Sequence, residues 1–544
     1  MKQFLSSLII LLLCGLPIYS YAEIANNVPD TEVFFKTKQL AEQGDAAAQN
    51  KLGGMYDEGK GVSQSYSESF KWVKKSAEQG YADAQATLAI KYEDGRGVPQ
   101  SDAEAFRWIK KSADQGFSIA YVKLGTMYEE GKVVPQSYTE AFKWYKKVAE
   151  QEYRIAELDP KDGNAVAATV AYLNLGLLYY EGRGVPQSYL EAFKWYKKVA
   201  EQGSAYAQVL VGTMYADGEG TPQSDSEAFN WFKKSADQGN PDAQHNLGSM
   251  YSRGKGTPQS DSEAFKWFKK AANQGNTNSQ YLVASMYSEG RGTPQSASEA
   301  MQWYKTAANQ GMADAQNRLG DRYSEGKGAS QSYSEAFKWY KKAADQDNTY
   351  AQIRLAMMYE DGKGVDKNNK KAAELYKKAA DQGDAYAQGY LGLMYEYGKG
   401  LPLNYEKAAE WYKKAADQGD DLSQESLSAL HKEGKISNRY KTTVTKTTVT
   451  KLTKKTIDQN IGIDEFNVGS KYLKGLGVRQ NYEKAAEWYI KAANQGNAAA
   501  QFNLGVMYHK GQGVSQNSST AKNYFKKACD NGHQSSCRNY QKLK

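Results

Sequence analysis

Apolar and small residues recur along most of this chain at the spacing of one face of an α-helix. In one typical stretch they fall at Ala84, Leu88 and Tyr92, four positions apart, which predicts a helical stripe. Gly95 then ends the helix, because glycine readily takes the left-handed conformation found after helix C-termini. A second helical pattern over Ala103–Gln115 follows, and strand signals are nearly absent. The sequence therefore predicts pairs of helices joined by short turns.

This helical pair repeats with a step of 36 residues, which lengthens to 51 after Ala120 and to 41 after Ser423. A period of this length is typical of a solenoid, in which no unit buries its apolar face without its neighbours. We count thirteen units, which begin at Ala48, Ala84, Ala120, Ala171, Ala207, Ala243, Ser279, Ala315, Ala351, Ala387, Ser423, Asp464 and Ala500.

Two kinds of residue recur at fixed positions and predict the packing between helices. The residue after the recurring Leu, such as Gly125, is always small, so the partner helix is expected to approach closely there. All ten tryptophans share one position on the second helix, and we expect them in the core. They are Trp72, Trp108, Trp144, Trp195, Trp231, Trp267, Trp303, Trp339, Trp411 and Trp488.

The repeated phrases, -AQ-x-x-LG-x-MY-x-x-G-x-G-V-PQ- and -EAFKWYKKAA-x-QG-, resemble the Sel1-like repeat family, a relative of the tetratricopeptide repeats. The resemblance covers about Val33 to Lys544. It implies an all-α fold, a right-handed αα superhelical solenoid of about thirteen repeats. It also implies a role as a protein-interaction scaffold or adaptor, without naming a ligand.

The first residues have the pattern of a secretory signal peptide. Lys2 is followed by the apolar stretch Leu5–Ile18 and by a small-x-small motif ending at Ala22, after which we expect cleavage. The net charge of +8 is spread too thinly over 544 residues to predict nucleic-acid binding. We therefore expect an exported protein, periplasmic or secreted, with no membrane span after cleavage.

The chain is expected to divide into four segments. Residues 1–22 form the signal peptide and 23–435 the first repeat block. Residues 436–463 form a degenerate Thr- and Lys-rich unit or hinge, and 464–544 form a C-terminal repeat block. The insertion at Glu152–Val170 is expected to be a turn flanked by lengthened helices.

Two cysteines remain after signal cleavage, Cys529 and Cys537. Their spacing resembles that of the secreted cysteine-rich Sel1-like proteins, although only the last unit of this chain has it. This resemblance implies a disulfide between them, and export would supply the oxidising environment.

Some positions on the first helix vary widely from unit to unit and are candidates for partner contact. On a helical wheel they lie opposite the core stripe, and we expect them to line a concave groove. The alternative is that they adapt to one another between adjacent first helices. The candidate groove residues are Ala86, Ile90, Val122, Val209, His245, Tyr281, Asn317 and Ile353.

A cation separates the two turn glycines in ten of the thirteen units. Such a cation either offsets the negative end of the helix dipole or contributes to a basic ridge that attracts an acidic partner or an anionic envelope polymer. The ten are Lys60, Arg96, Lys132, Arg183, Lys255, Arg291, Lys327, Lys363, Lys399 and Lys435.

Catalytic signals are weak. Ser519 and Lys522 have the Ser-x-x-Lys spacing, but no Ser-Asp-Asn or Lys-Thr-Gly motif accompanies them. Four His and three Cys are too few for elaborate metal sites. We therefore predict no catalytic, cofactor-binding or metal-binding residue, and an exported non-enzymatic scaffold that binds protein partners. The alternatives are an envelope enzyme of the penicillin-binding or β-lactamase type, and a binder of peptidoglycan or another anionic polymer.

Overall fold

The fold is seen in a computed structural model, which describes residues 30–151, 163–437, 466, 473, 481–494, 497–531, 536 and 539–541. Within these residues every regular element is an α-helix, as the repeat pattern predicts. The same residues include no helix that is both long and apolar enough to cross a lipid bilayer. The chain forms two compact units, Met1–Gly383 and Asp384–Lys544.

The helices alternate between the first and second helix of each repeat. The unit Met1–Gly383 contains α1 (Asp30–Glu42), α2 (Ala46–Glu58), α3 (Tyr66–Glu78), α4 (Ala82–Asp94), α5 (Asp102–Asp114), α6 (Ser118–Glu130), α7 (Tyr138–Glu150), α8 (Gly163–Glu181), α9 (Tyr189–Glu201), α10 (Ala205–Asp217), α11 (Asp225–Asp237), α12 (Pro241–Arg253), α13 (Asp261–Asn273), α14 (Thr277–Glu289), α15 (Ala297–Asn309), α16 (Ala313–Glu325), α17 (Tyr333–Ala344), α18 (Thr349–Asp361) and α19 (Asn369–Asp381). The unit Asp384–Lys544 contains α20 (Ala385–Tyr397), α21 (Tyr405–Asp417), α22 (Asp421–Lys432), α23 (Tyr482–Asn494), α24 (Ala498–Lys510) and α25 (Ser518–Asp530).

Recurring polar residues and glycines set the helix ends. The Ser332 hydroxyl accepts a hydrogen bond from the Glu335 backbone N–H at 3.2 Å and so begins α17. Asn348 begins α18 in the same way, with the Ala351 N–H at 3.0 Å. Gly362 ends α18 with a φ of +71°, a conformation that glycine takes without a Cβ penalty. The helix ends therefore follow from local sequence.

The core of each helical pair is a large side chain packed onto a small one. Tyr340 is buried, and a Cβ added to Gly320 would lie only 2.4 Å from its ring. Phe232 faces Gly212 in the same way, at 2.8 Å. The small position therefore lets the second helix approach, as the sequence predicts.

The tryptophans lie beside this core, and only Trp108, Trp231 and Trp339 are buried; the other seven are half-buried. In many repeats a lysine one turn later lies over the solvent-facing side of the indole ring. The Lys342 ammonium lies 4.2 Å from the Trp339 ring centre. The fully buried aromatic position is the one after the tryptophan, which the sequence analysis did not single out.

A chain of glutamine side chains links successive helices. The Gln316 amide on α16 donates to the Ala308 carbonyl of α15 at 3.1 Å. Its own oxygen accepts a hydrogen bond from Gln346, after α17, at 2.9 Å. Gln316 is buried, so these bonds satisfy an amide that would otherwise be costly to bury. The glutamines of the -AQ- and -QG- motifs therefore form one hydrogen-bonded chain between successive helices.

The second turn glycine touches the preceding repeat. A Cβ added to Gly364 would lie 2.4 Å from the backbone carbonyl of Tyr333, at the start of α17. Gly362 has a similar φ, but a Cβ there would come no closer than 3.5 Å to its nearest neighbour, Lys367. The first glycine therefore ends a helix, whereas the second permits the contact between repeats.

Two predicted interruptions are only partly described. Residues 152–162 lie outside the described residues. The helix after them, α8, has 19 residues where most helices have 13, as expected, whereas α7 before them ends at Glu150 with 13 residues and is not lengthened. Residues 438–463 also lie outside the described residues, so a hinge there stays a prediction. Ile436, at its predicted start, is buried against Leu427 and Leu430. The boundary between the two compact units lies between α19 and α20.

Candidate functional site

The eight predicted groove residues are not on open surface. Ala86, Val122, Asn317 and Ile353 are buried, whereas Ile90, Val209, His245 and Tyr281 are half-buried. A partner contact through these residues stays a prediction.

The polar members of this set bond to the next first helix. His245 Nδ1 lies 2.9 Å from the Ser279 hydroxyl oxygen, and the Asn317 amide donates to the Asn348 side-chain oxygen at 2.8 Å. Burial lowers the pKa of His245, which favours a neutral ring. These contacts support the second interpretation, in which the residues vary because adjacent first helices pack together there.

A neighbouring set of positions is more open. On α18 it consists of Tyr350, Arg354, Met357 and Asp361, which share one side of the helix. We call these positions, and their equivalents in other repeats, the open face of the first helices. Tyr350 is 46% exposed. Sequence reasoning found one of these positions, because Ile90 is the equivalent of Met357, but it missed the other three. Its remaining candidates lie one residue before the position of Arg354, which also varies widely.

The chemistry of the open face changes between repeats. On α16 the equivalent residues are charged: Asp314, Arg318, Asp321 and Glu325. On α20 they are Tyr386, Tyr390, Leu393 and Tyr397. Tyr386 and Tyr390 have ring centres 4.5 Å apart, and Tyr397 is 62% exposed. The face therefore offers different contacts in different repeats.

A polar network crosses three first helices around one carboxylate. Asp321 Oδ1 accepts hydrogen bonds from the Tyr340 hydroxyl at 2.7 Å and the Tyr350 hydroxyl at 2.8 Å. Arg354 Nε and Arg318 Nη1 each lie 3.8 Å from an oxygen of Asp321. Arg318 Nε also donates to the Tyr281 hydroxyl at 3.4 Å. We call these six residues the Asp321 cluster.

Burial and hydrogen bonding shape the electrostatics of this cluster. Burial and the hydrogen bond to Asp321 raise the pKa of Tyr350 to about 12. The same two causes, with the charge of Asp321, raise the pKa of Tyr340. Both phenols therefore remain neutral donors at neutral pH, and the cluster keeps two guanidinium groups against one carboxylate.

The cations of the predicted basic ridge are largely neutralised. Eight of the ten form ion pairs with carboxylates at 2.6–3.8 Å, and seven of these pair with the acid two residues earlier, as Lys327 does with Glu325. Lys60 and Lys399 are the other two. Paired charges at helix ends support the helix-dipole interpretation over a polymer-binding ridge.

The second helices carry a more uniform surface. Lys338 pairs with Glu335 at 2.6 Å, and Lys341 pairs with Asp345 at 2.9 Å, as equivalent residues do in several other repeats. Cavities of about 360 and 390 Å³ lie beside Trp72 and Trp231, where such charged side chains form most of the lining.

The described residues contain no arrangement typical of catalysis or metal binding. Ser519 is exposed and Lys522 half-buried, and no hydrogen bond joins them there. In the same part of the chain no three His, Cys, Asp or Glu side chains form a group that could hold a metal ion. The signal peptide of residues 1–22 and Cys537, the proposed partner of Cys529, lie outside the described residues, so cleavage and the disulfide stay predictions.

Comparison with protein-family models identifies the repeat. The model described as Sel1 repeat matches twelve segments: residues 46–81, 82–117, 118–153, 169–204, 205–240, 241–276, 277–312, 313–348, 349–384, 385–420, 465–497 and 498–533. The unit that begins at Ser423, the degenerate one, is not among them. A comparison with curated protein sequences gave no match.

Solved structures agree with this result. A protective antigen of uropathogenic Escherichia coli with an SLR fold is 32% identical, with a TM-score of 0.57, over 87% of this chain and 90% of that chain. A Sel1 repeat protein from Oxalobacter formigenes is 30% identical, with a TM-score of 0.50, over 64% of this chain and 99% of that chain. The protein therefore belongs to the Sel1 repeat family.

Proposed function

We propose that this protein is an exported, non-enzymatic scaffold that binds protein partners through the open face of its first helices. Sel1 and related repeat proteins generally mediate protein–protein interactions. The observation that carries the proposal is the contrast between the two helices of the repeat. Second helices repeat similar ion pairs and lysine–tryptophan contacts, whereas the open face changes from charged on α16 to aromatic on α20. Variation of this kind on an accessible face favours recognition of specific partners.

Export is supported by the N-terminal sequence and by one relative. The apolar stretch and small-x-small motif before Ala22 have the form of a cleaved signal. The relative from uropathogenic E. coli is described as a protective antigen. We expect a periplasmic or secreted protein, and intact-mass measurement of the purified protein tests this. A mass that includes residues 1–22 would contradict cleavage.

Site-specific photocrosslinking tests the proposed face. A benzophenone amino acid is placed at Tyr350 or Tyr386 on first helices, which are 46% and 44% exposed. The matched controls are Tyr189 and Tyr333, the first residues of second helices, which are 37% and 36% exposed. Irradiation of producing cells is expected to give discrete adducts from the first pair and few from the second. Equal or reversed yields would refute the assignment of the face.

A further inference from the structure

The Asp321 cluster differs from the other charged surfaces of the first compact unit. Most ridge cations, and many lysines of the second helices, have a carboxylate of their own. In the cluster, Arg318 and Arg354 share the single carboxylate of Asp321, and both lie 3.8 Å from it. The shared carboxylate leaves an excess of positive charge on this surface.

A third arginine beneath the surface adds to this excess. Arg322 is 7% exposed, and its guanidinium donates to the Ser288 hydroxyl at 2.5 Å and to the Lys327 carbonyl at 3.3 Å. Neither acceptor is a carboxylate, so these two hydrogen bonds do not neutralise the charge of Arg322. With the exposed Asp314 and the ion pair of Lys327 with Glu325, which also acts on Arg322, this surface holds four cationic groups and three carboxylates. An anionic group therefore gains from approaching it.

The two outer guanidinium groups have donors available. Arg354 uses Nε to reach the Tyr340 hydroxyl at 3.2 Å, and among the described residues no hydrogen bond involves its Nη atoms. Arg318 is 57% exposed at its side chain and Arg354 is 33% exposed. A carboxylate can accept two parallel hydrogen bonds from such a guanidinium fork.

Aromatic rings hold Arg354 in place before any ligand binds. Its guanidinium carbon lies 5.5 Å from the Tyr340 ring centre and 5.9 Å from that of Tyr350. A side chain that is already ordered loses less conformational entropy on binding. Tyr350 is also partly exposed, so it offers an apolar surface beside the charged donors.

We propose that the Asp321 cluster binds an acidic peptide segment of a partner protein. One carboxylate of the segment takes the unused donors of Arg354 and Arg318, while a neighbouring residue lies against the Tyr350 ring. The spacing across α14, α16 and α18 suits an extended segment rather than a single ion, because the contacts come from three successive repeats. This inference rests on the proposed scaffold function and names the chemistry of one partner.

Fluorescence anisotropy of the mature full-length chain tests the proposal. The probe is a short labelled peptide in which Glu alternates with Ala, and the control peptide has Gln in place of each Glu. Arg354→Gln is expected to weaken binding about tenfold or more, since it removes charge-assisted hydrogen bonds to the carboxylates of the peptide. Lys338→Gln removes an equal charge from the exposed surface of a second helix and is expected to change little.

Asp321→Asn gives the sharpest result. It removes the competing carboxylate but keeps an oxygen that can accept from both tyrosines, so binding is expected to tighten by about threefold or more. Misfolding cannot produce a gain in affinity, and circular dichroism of each variant checks that the helices remain intact. Weaker binding in Asp321→Asn, or equal losses in Arg354→Gln and Lys338→Gln, would overturn the proposal.

Other outcomes separate this proposal from its alternatives. Equal binding of the Glu and Gln peptides would overturn it. So would tight binding of polygalacturonate with no binding of the Glu peptide, because that result assigns the surface to an anionic polymer. Photocrosslinked adducts at Tyr386 without any peptide binding would refute the acidic-peptide inference and leave the scaffold function standing.

Discussion

Gly362 and Gly364 have almost the same backbone conformation, but only Gly364 contacts the preceding repeat. We therefore expect substitution by alanine to destabilise the protein more at Gly364 than at Gly362. Gly362 and Gly364 have φ values of +71° and +73°. Alanine in this region costs roughly 1–2 kcal/mol at either position. At Gly364 the new Cβ would also lie 2.4 Å from the carbonyl of Tyr333, whereas at Gly362 its nearest neighbour would be 3.5 Å away.

The overlap at Gly364 must be relieved by moving the start of α17 away from the turn. Overpacking of this kind costs roughly a further 1–3 kcal/mol, so Gly364→Ala is expected to destabilise the protein by about 2–5 kcal/mol in all. Gly362→Ala, the matched control, lacks this second contribution. The difference measures the contact between repeats alone.

Hydrogen exchange followed by mass spectrometry is the suitable assay, because a repeat array does not unfold in one step. Peptides from α17 and α18 are expected to lose about tenfold protection in Gly362→Ala and roughly another tenfold or more in Gly364→Ala. Equal losses in the two variants would refute the argument that the second glycine exists for the close approach of the preceding repeat.

Three further predictions follow. Burial raises the pKa of Asp83 to about 6, so the folded protein holds this proton more tightly than the unfolded chain does. The free energy of unfolding of the first repeats should therefore rise as the pH falls from about 6 towards 4, and Asp83→Asn should abolish that rise in denaturant titrations. Gln316→Leu should cost about 1–3 kcal/mol by leaving buried polar groups unsatisfied, whereas exposed Gln331→Leu should cost less than about 1 kcal/mol in the same exchange assay. The purified mature protein should show no free thiol in a thiol assay, and reducing the predicted Cys529–Cys537 bond should destabilise the last repeat by about 2–3 kcal/mol. A Cys537 that reacts in the thiol assay before reduction would contradict the disulfide.

The helices and their ends could be predicted from sequence because short-range interactions determine them. Ser332 and Asn348 cap helices through backbone groups three residues away, and Gly362 ends a helix through its own φ. The small residue at Gly320 likewise indicated a close approach of the second helix. Such features depend on a few neighbouring residues, and each recurs in many units.

The open face was harder to predict than the helix ends, because the exposure of a residue in a solenoid depends on the neighbouring repeat. A wheel drawn for one helix shows that Asn317 lies away from its own core, but not that Asn348 of the next repeat covers it. The Asp321 cluster needs side chains from three first helices and one second helix, so no single unit contains it.

Counting cations along the sequence also failed to show which surface carries an excess of positive charge. Lys327 and its equivalents read as a row of cations, yet Glu325 and its equivalents neutralise most of them two residues earlier. By contrast, Arg318 and Arg354 were not singled out, although they share one carboxylate. The spatial distribution of carboxylates, rather than the number of cations, decides which surface attracts an anion.

Hydroxyl-radical footprinting of the mature protein with a crosslinked partner tests the central claim most directly, because it measures side-chain exposure residue by residue. If partners bind the open face of the first helices, oxidation is expected to fall at Tyr350 or Met357 on α18, or at Tyr397 on α20. Oxidation at Tyr189 and Tyr333, where second helices begin, should remain at the level of the free protein. Protection of Tyr189 and Tyr333 with unchanged oxidation of the open face would contradict the account.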